Sequence, residues 1–117
     1  MMRNGRAVLV ACAAAALAAC ASTPEPKAQL AVANASVDSA TGNAAEAPAE
    51  LASARDKLAQ ANVAVARKDY DAARRLAEEA AADAALAQAT ARGARSSRAL
   101  SEVRQSIQQL QTQLNRS

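Results

Sequence analysis

Lys68-Asp69-Tyr70-Asp71-Ala72-Ala73 (residues 68–73), with Ala77, Ala80, Ala84, Ala87 and Ala91 after it, is the stretch that decides the fold. Asp69 is a short acceptor placed where the first free N–H groups of a helix need one, and Asp71 adds negative charge to the first turn. The alanines recur at spacings of three and four, which puts them on one helix face. A methyl face of this kind lets another backbone approach closely. The stretch therefore predicts a turn followed by a long helix with an alanine seam, flanked by Leu76 and Leu86. Asp71 with Arg75, Arg74 with Glu78 and Arg75 with Glu79 fall one turn apart on its outer surface.

Working backward from the turn, Leu51, Ala54, Leu58, Ala61 and Val65 repeat at three and four as a heptad seam. Pro48 suits the first position of that helix because its missing N–H costs nothing there, and Glu50 faces the positive end of the dipole. The helix is expected to run to Arg67 or Lys68. It matches the following helix in length, so the two predict an antiparallel hairpin. Upstream, residues 26–40 carry Leu30, Ala33 and Val37 on one face and predict a weak short helix. Gly42 and Asn43 would end it, because both tolerate left-handed backbone.

Forward of the alanine seam, Gly93 and Ser96-Ser97 are poor helix formers and the apolar register shifts. Leu100, Val103, Ile107, Leu110 and Leu114 then form a second heptad seam beside a glutamine-rich face. The helix is expected either to continue with a bend or to break and fold back on the hairpin. The seam suits self-association as well as packing on the chain's own hairpin. The fold class is thus all-α, an antiparallel helical hairpin with a long, coiled-coil-like C-terminal helix over residues 48–117.

The N-terminus reads as an address. Arg3 and Arg6 precede a short apolar run over residues 7–16, the order of a secretory signal and too short for a membrane span. Leu17-Ala18-Ala19-Cys20 resembles the bacterial lipobox, at which a precursor is acylated on cysteine and cut just before it. Leu9-Val10-Ala11-Cys12 has the same pattern but would leave too short an apolar core. An ordinary secretory cut would leave Cys20 as a free thiol, a liability outside the cell. The organisation is then a lipoprotein signal peptide over 1–19, helical itself, a tether with the weak helix over 20–47, and the helical domain over 48–117. One acyl chain anchors only marginally, and the lipobox resemblance implies several. With Ala21 after the cysteine rather than aspartate, it implies the inner leaflet of the outer membrane, facing the periplasm.

The hydrophobic share of 51% misleads, because most of it is alanine. Few side chains can supply the roughly 1.5–3 kcal/mol that burial of a large apolar group brings, which excludes a thick core. Loss of Arg3 and Arg6 with the leader lowers the net charge from +3 to +1. The remaining imbalance is local: Arg92, Arg95 and Arg98 cluster near Arg104, with only Glu102 opposing, and could meet a polyanion. The chain has no histidine, which removes the commonest general base and zinc ligand. Its three glycines are scattered and make no phosphate loop. Glu78, Glu79 and Asp83 share a helix, but carboxylates on an exposed helix are ordinarily solvated; no metal and no cofactor are expected. Tyr70 is the single aromatic residue, so base stacking is unavailable and nucleic acid is not an expected partner.

Ala47-Pro48-Ala49-Glu50-Leu51, Lys68-Asp69-Tyr70-Asp71-Ala72-Ala73 and Leu76-Ala77-Glu78-Glu79-Ala80 with Asp83-Ala84 carry a family resemblance. Residues 47–114 resemble a group of small proteobacterial lipoproteins, the domain of unknown function 4398. The resemblance implies no activity, and a place beside outer-membrane, peptidoglycan-binding proteins. The 68–71 turn is also similar to that of a tetratricopeptide repeat, with Lys68 in place of the usual glycine, but a single copy makes no array. The expected function is non-enzymatic: a lipid-anchored helical protein with a structural or protein-interaction role in the cell envelope. The alternative is a module that binds peptidoglycan or anionic lipid through Arg92, Arg95 and Arg98. The chain ends in Asn115-Arg116-Ser117 without a terminal lysine, so wall binding is expected to be non-covalent. Expected partners are membrane lipid through Cys20, an envelope protein or peptidoglycan, and a second copy of the chain.

Overall fold

The turn at 68–71 closes as a hairpin. In the computed structural model, which describes residues 23–117, three helices follow one another: α1 (Lys27–Thr41), α2 (Pro48–Ala66) and α3 (Tyr70–Arg116). The Lys68 N–H donates to the Val65 carbonyl and the Asp69 N–H to that of Ala64, both at 2.9 Å. These are the two bonds of a Schellman motif, which satisfies the last carbonyls of α2. Its left-handed position is taken by Lys68 at φ 61°, with no glycine to relieve the strain. Asp69 then caps α3, its Oδ1 accepting from the Ala72 N–H at 3.1 Å.

Alanine sets the packing. Ala73, Ala77, Ala80, Ala84, Ala87 and Ala91 of α3 are all fully buried, as the spacing predicts. They face Ala33, Val37 and Ala40 of α1 and Leu51, Ala54, Ala61 and Ala64 of α2. Leu51 is the one large side chain wholly enclosed among the described residues. With so little apolar volume, the bundle depends on short distances between backbones rather than on a filled interior.

The register can be followed in side-chain contacts. Between α2 and α3, Glu50 meets Thr90, Ser53 meets Asp83, and Lys57 meets Asp83 and Glu79, so the helices run antiparallel. Thr23 meets Asp71 at one end of α1, and Asn43 meets Arg95 just past its other end, so α1 runs parallel to α3. The result is an up-down-up bundle. The segment expected as a tether therefore contains a helix packed along α3. Its beginning lies at the α2–α3 turn.

Three local readings change. Gly42 is right-handed at φ −64°, so α1 ends in tight right-handed turns and the left-handed site is Lys68 instead. In α2 the seam closes on Ala64, with Val65 only half-buried, because the facing alanines select the smaller side chain. Asp71 pairs with Arg74 at 3.7 Å rather than with Arg75, while Arg75 and Glu79 pair at 3.9 Å as spaced. Of the two courses expected for α3 it takes the continuing one: it is helical through Gly93, Ser96 and Ser97 to Arg116 and does not fold back. At 1.5 Å per residue its 47 residues span about 70 Å. Among the described residues no helix is long and apolar enough to cross a membrane.

Candidate functional site

Cys20 and the lipobox residues Leu17, Ala18 and Ala19 lie outside the described residues. Thr23, the first of the described residues, is anchored: its Oγ1 donates to Asp71 Oδ1 at 2.9 Å. The chain thus enters the bundle at the hairpin-turn end, and the free end of α3 points the other way.

That free end is the most unusual surface of the molecule. Every residue from Arg95 onward is exposed. Leu100, Val103, Ile107 and Leu110 are 49–59% exposed and Leu114 75%. The heptad spacing aligns them on one stripe, and at 100° per residue that stripe lies about 140° around α3 from the buried alanines. The arm therefore carries an apolar seam on the side away from α1 and α2, beyond their reach.

Arg92, Arg95 and Arg98 sit where α3 leaves the bundle, and they do not point the same way. Successive positions three apart rotate around the helix, so Arg92 and Arg98 point about 120° apart. Arg98 Nη2 donates to Glu46 Oε1 at 3.0 Å, and Arg95 Nε lies 3.6 Å from the same oxygen. Arg95 also donates to Asn43 Oδ1. Glu46, with only 16% of its side chain exposed, is held below the ordinary carboxylate range by the hydrogen bond from Arg98 and the nearby charge of Arg95. Two of the three arginines thus clamp the α1–α2 connection to α3. Arg92 makes no ion pair among the described residues. The linker partners Asn43 and Glu46 were invisible to sequence reasoning, since they lie 52 residues from the arginines they bind.

A second polar cluster bridges α2 and α3. Lys57 Nζ is 2.8 Å from Asp83 Oδ2 and 3.7 Å from Glu79 Oε2, and Ser53 Oγ donates to Asp83 Oδ2 at 2.7 Å. The hydrogen bonds from Lys57 and then Ser53 hold the Asp83 carboxyl below its usual range, and the bond to Asp83 pushes the Lys57 ammonium up. Two of the three clustered acids, Glu79 and Asp83, are thereby turned toward a lysine, and Glu78 stays exposed. Among the described residues no three groups converge in a metal-ligand arrangement. Half-buried Tyr70 opens α3 beside the turn.

A family model described as a domain of unknown function (DUF4398) matches residues 28–103. No curated protein and no solved structure matches the chain. The matched segment takes in α1 from Ala28 and all of α2 and runs along α3 to Val103; Ile107, Leu110 and Leu114 lie beyond it. The chain belongs to this family.

Proposed function

We propose that this member of the DUF4398 family is a non-enzymatic lipoprotein, anchored through Cys20 in the periplasm-facing leaflet of the outer membrane. Its three-helix body carries an interaction arm into the periplasm. The observation that carries the reading is the arm itself. An exposed apolar stripe of heptad spacing on a helix that packs against nothing marks a surface made for a partner. The lipobox Leu17-Ala18-Ala19-Cys20 supports the anchor, and the absence of histidine supports a role without catalysis. The placement of Thr23 against Asp71 supports an anchor at the turn end of the bundle. A membrane anchor three residues before Thr23 would hold the turn end near the lipid, and the arm would reach about 70 Å outward along α3.

The polyanion reading is weaker on the same evidence. Arg95 and Arg98 both engage the single carboxylate of Glu46, which leaves Arg92 as the one arginine of the three without an ion pair among the described residues. Changing all three to glutamine is expected to destabilise the clamp and leave retention on purified sacculi unchanged.

Metabolic labelling with a palmitate analogue tests the anchor: label is expected on the native chain and lost in Cys20→Ala. Label that persists in Cys20→Ala overturns it. Crosslinking in intact cells through a photoreactive residue at Gln108 or Gln111 tests the arm, with capture of an envelope protein or of a second copy expected. Absence of any adduct counts against an interaction role.

A further inference from the structure

We propose that the arm's partner is a second copy of this chain, joined to it as a parallel, in-register coiled coil through Leu100, Val103, Ile107, Leu110 and Leu114. The inference rests on the interaction-arm reading above and names the occupant of that surface.

The spacing assigns Leu100, Ile107 and Leu114 to position a and Val103 and Leu110 to position d of a heptad. All five are about half exposed or more. Positions e and g, which choose partners in coiled coils by charge, are here Ala99, Arg104, Ser106, Gln111 and Gln113. Apart from Arg104 these flanks are neutral, so they offer a foreign helix a single charge to match and oppose no like charges when the helix meets itself in parallel. In a parallel pair Arg104 faces Ala99 of the other copy and Ser106 faces Gln111, so the two Arg104 side chains are kept apart.

Orientation follows from the same residues. A parallel pair stacks like on like and keeps all five layers apolar. An antiparallel pair aligns a with d positions, which sets Leu114 against Ser96 or Leu100 against Ser117. A parallel pair also suits two chains held at their turn ends by one membrane. The bodies do not obstruct it. Along α3 toward the bundle the same side presents the small, exposed Ala82, Ala85, Ala89, Gly93 and Ser96, with exposed Leu86 at the a position before Gly93 and exposed Arg92 at its flank. Helices α1 and α2 pack on the alanine face, away from this side, so two bodies can lie outside a central pair of α3 helices.

The test uses the full chain purified in mild detergent, with Leu100→Cys and Leu114→Cys introduced separately and oxidised. Facing a positions bring Cα atoms within disulfide range. Both variants are expected to form a covalent dimer that the unsubstituted chain does not form, and sedimentation of the unsubstituted chain should give a dimer. Ile107→Lys, which buries two facing ammonium groups, should raise the concentration for half-dimerisation more than about tenfold with unchanged helix content. Covalent dimer from neither variant, with a monomer at all concentrations, overturns the proposal. Covalent dimer only when Leu100→Cys and Leu110→Cys chains are mixed overturns the parallel register. Capture of a different protein by the arm in cells, without self-crosslinking, overturns the homotypic pair and leaves the interaction arm standing.

Discussion

Arg98 and Glu46 are joined at 3.0 Å, and among the described residues this is the last side-chain link between α3 and the rest of the chain. Up to that point α3 is the spine of a bundle. Past it, the same helix continues as a bare arm whose seam meets only solvent. The clamp thus marks the boundary between a stretch that holds the fold and one that is free to bind. Arg95 reinforces it through Glu46 and Asn43.

Glu46→Gln is expected to lower the melting temperature at pH 7 and to have progressively less effect in acid. The two arginines hold the Glu46 carboxyl below its ordinary value, so its stabilising contribution is present above the ordinary carboxylate range. It disappears as pH falls below about 4 and through the depressed folded-state value. Asp83 follows the same sign and remains in both chains. Thermal melts of the two proteins from pH 7 to pH 2 should converge at the acid end. A gap that stays constant across that range contradicts the clamp.

Lys68→Gly is expected to stabilise the protein. Lys68 sits in left-handed backbone at φ 61°, which costs a residue with a Cβ roughly 1–2 kcal/mol. Glycine removes that strain but loses about 0.5–1 kcal/mol of unfolded-chain entropy, leaving a net gain of up to about 1.5 kcal/mol. Urea unfolding should show a higher midpoint with unchanged slope. The neighbouring cap works in the opposite sense: Asp69→Ala should cost about 0.5–2 kcal/mol by orphaning the Ala72 N–H.

Gly93→Ala separates a continuous helix from a hinge. A Cβ added at Gly93 would meet nothing within 4 Å, and the backbone there is helical. The substitution should therefore gain about 0.5–1 kcal/mol, with more helix by circular dichroism. A loss of stability would mean that the chain turns at this position in solution.

Ala84→Leu and Leu51→Ala probe the packing from both sides. Ala84 is fully buried against α1 and α2, and a leucine there must push the backbones apart, at about 1–3 kcal/mol or more. Leu51→Ala empties the one large enclosed site and should cost about 2–5 kcal/mol. In a bundle with this little apolar volume, either change is expected to bring the melting point down by several degrees, and by as much as about 4–8 °C for each kcal/mol. An Ala84→Leu protein of native stability would mean the helices are not in close contact.

What the sequence made legible was the periodic part. Asp69, Pro48 and the six alanines of α3 announce where helices begin and which face they bury, because capping and spacing are local properties. The direction of α3 beyond Thr90 was not legible, since Gly93 and Ser96-Ser97 argue for a break on propensity alone. Propagation from an already formed helix overrides that argument, because adding a residue to a nucleated helix is far cheaper than starting one. Ala64 in place of Val65 reflects the facing surface, which propensity does not contain. Glu46 could be paired with Arg95 and Arg98 only once α1 and α3 were known to run parallel. The arm seam was visible, but whether the hairpin covered it depended on that same missing geometry.

The melting temperature of the native chain is expected to rise with protein concentration, and Leu110→Gln should abolish the rise. The body is stabilised within one chain, so its own unfolding is independent of concentration. An arm that pairs only between chains adds stability by mass action, growing with the concentration of folded partner. Residues 99–116 are little longer than the roughly 12–15 residues below which isolated helices are marginal in water, and their serines and β-branched residues are weak helix formers. They are helical as a continuation of α3, and pairing would protect their outer turns from fraying. Leu110 is 59% exposed and touches none of the bundle's buried clusters, so its loss should leave the dilute melting point within about 0.5 kcal/mol of native. Scanning calorimetry over a hundredfold concentration range distinguishes the cases. Native and Leu110→Gln chains that melt alike at every concentration would place the stabilising contacts wholly inside the single bundle, with the arm unpaired.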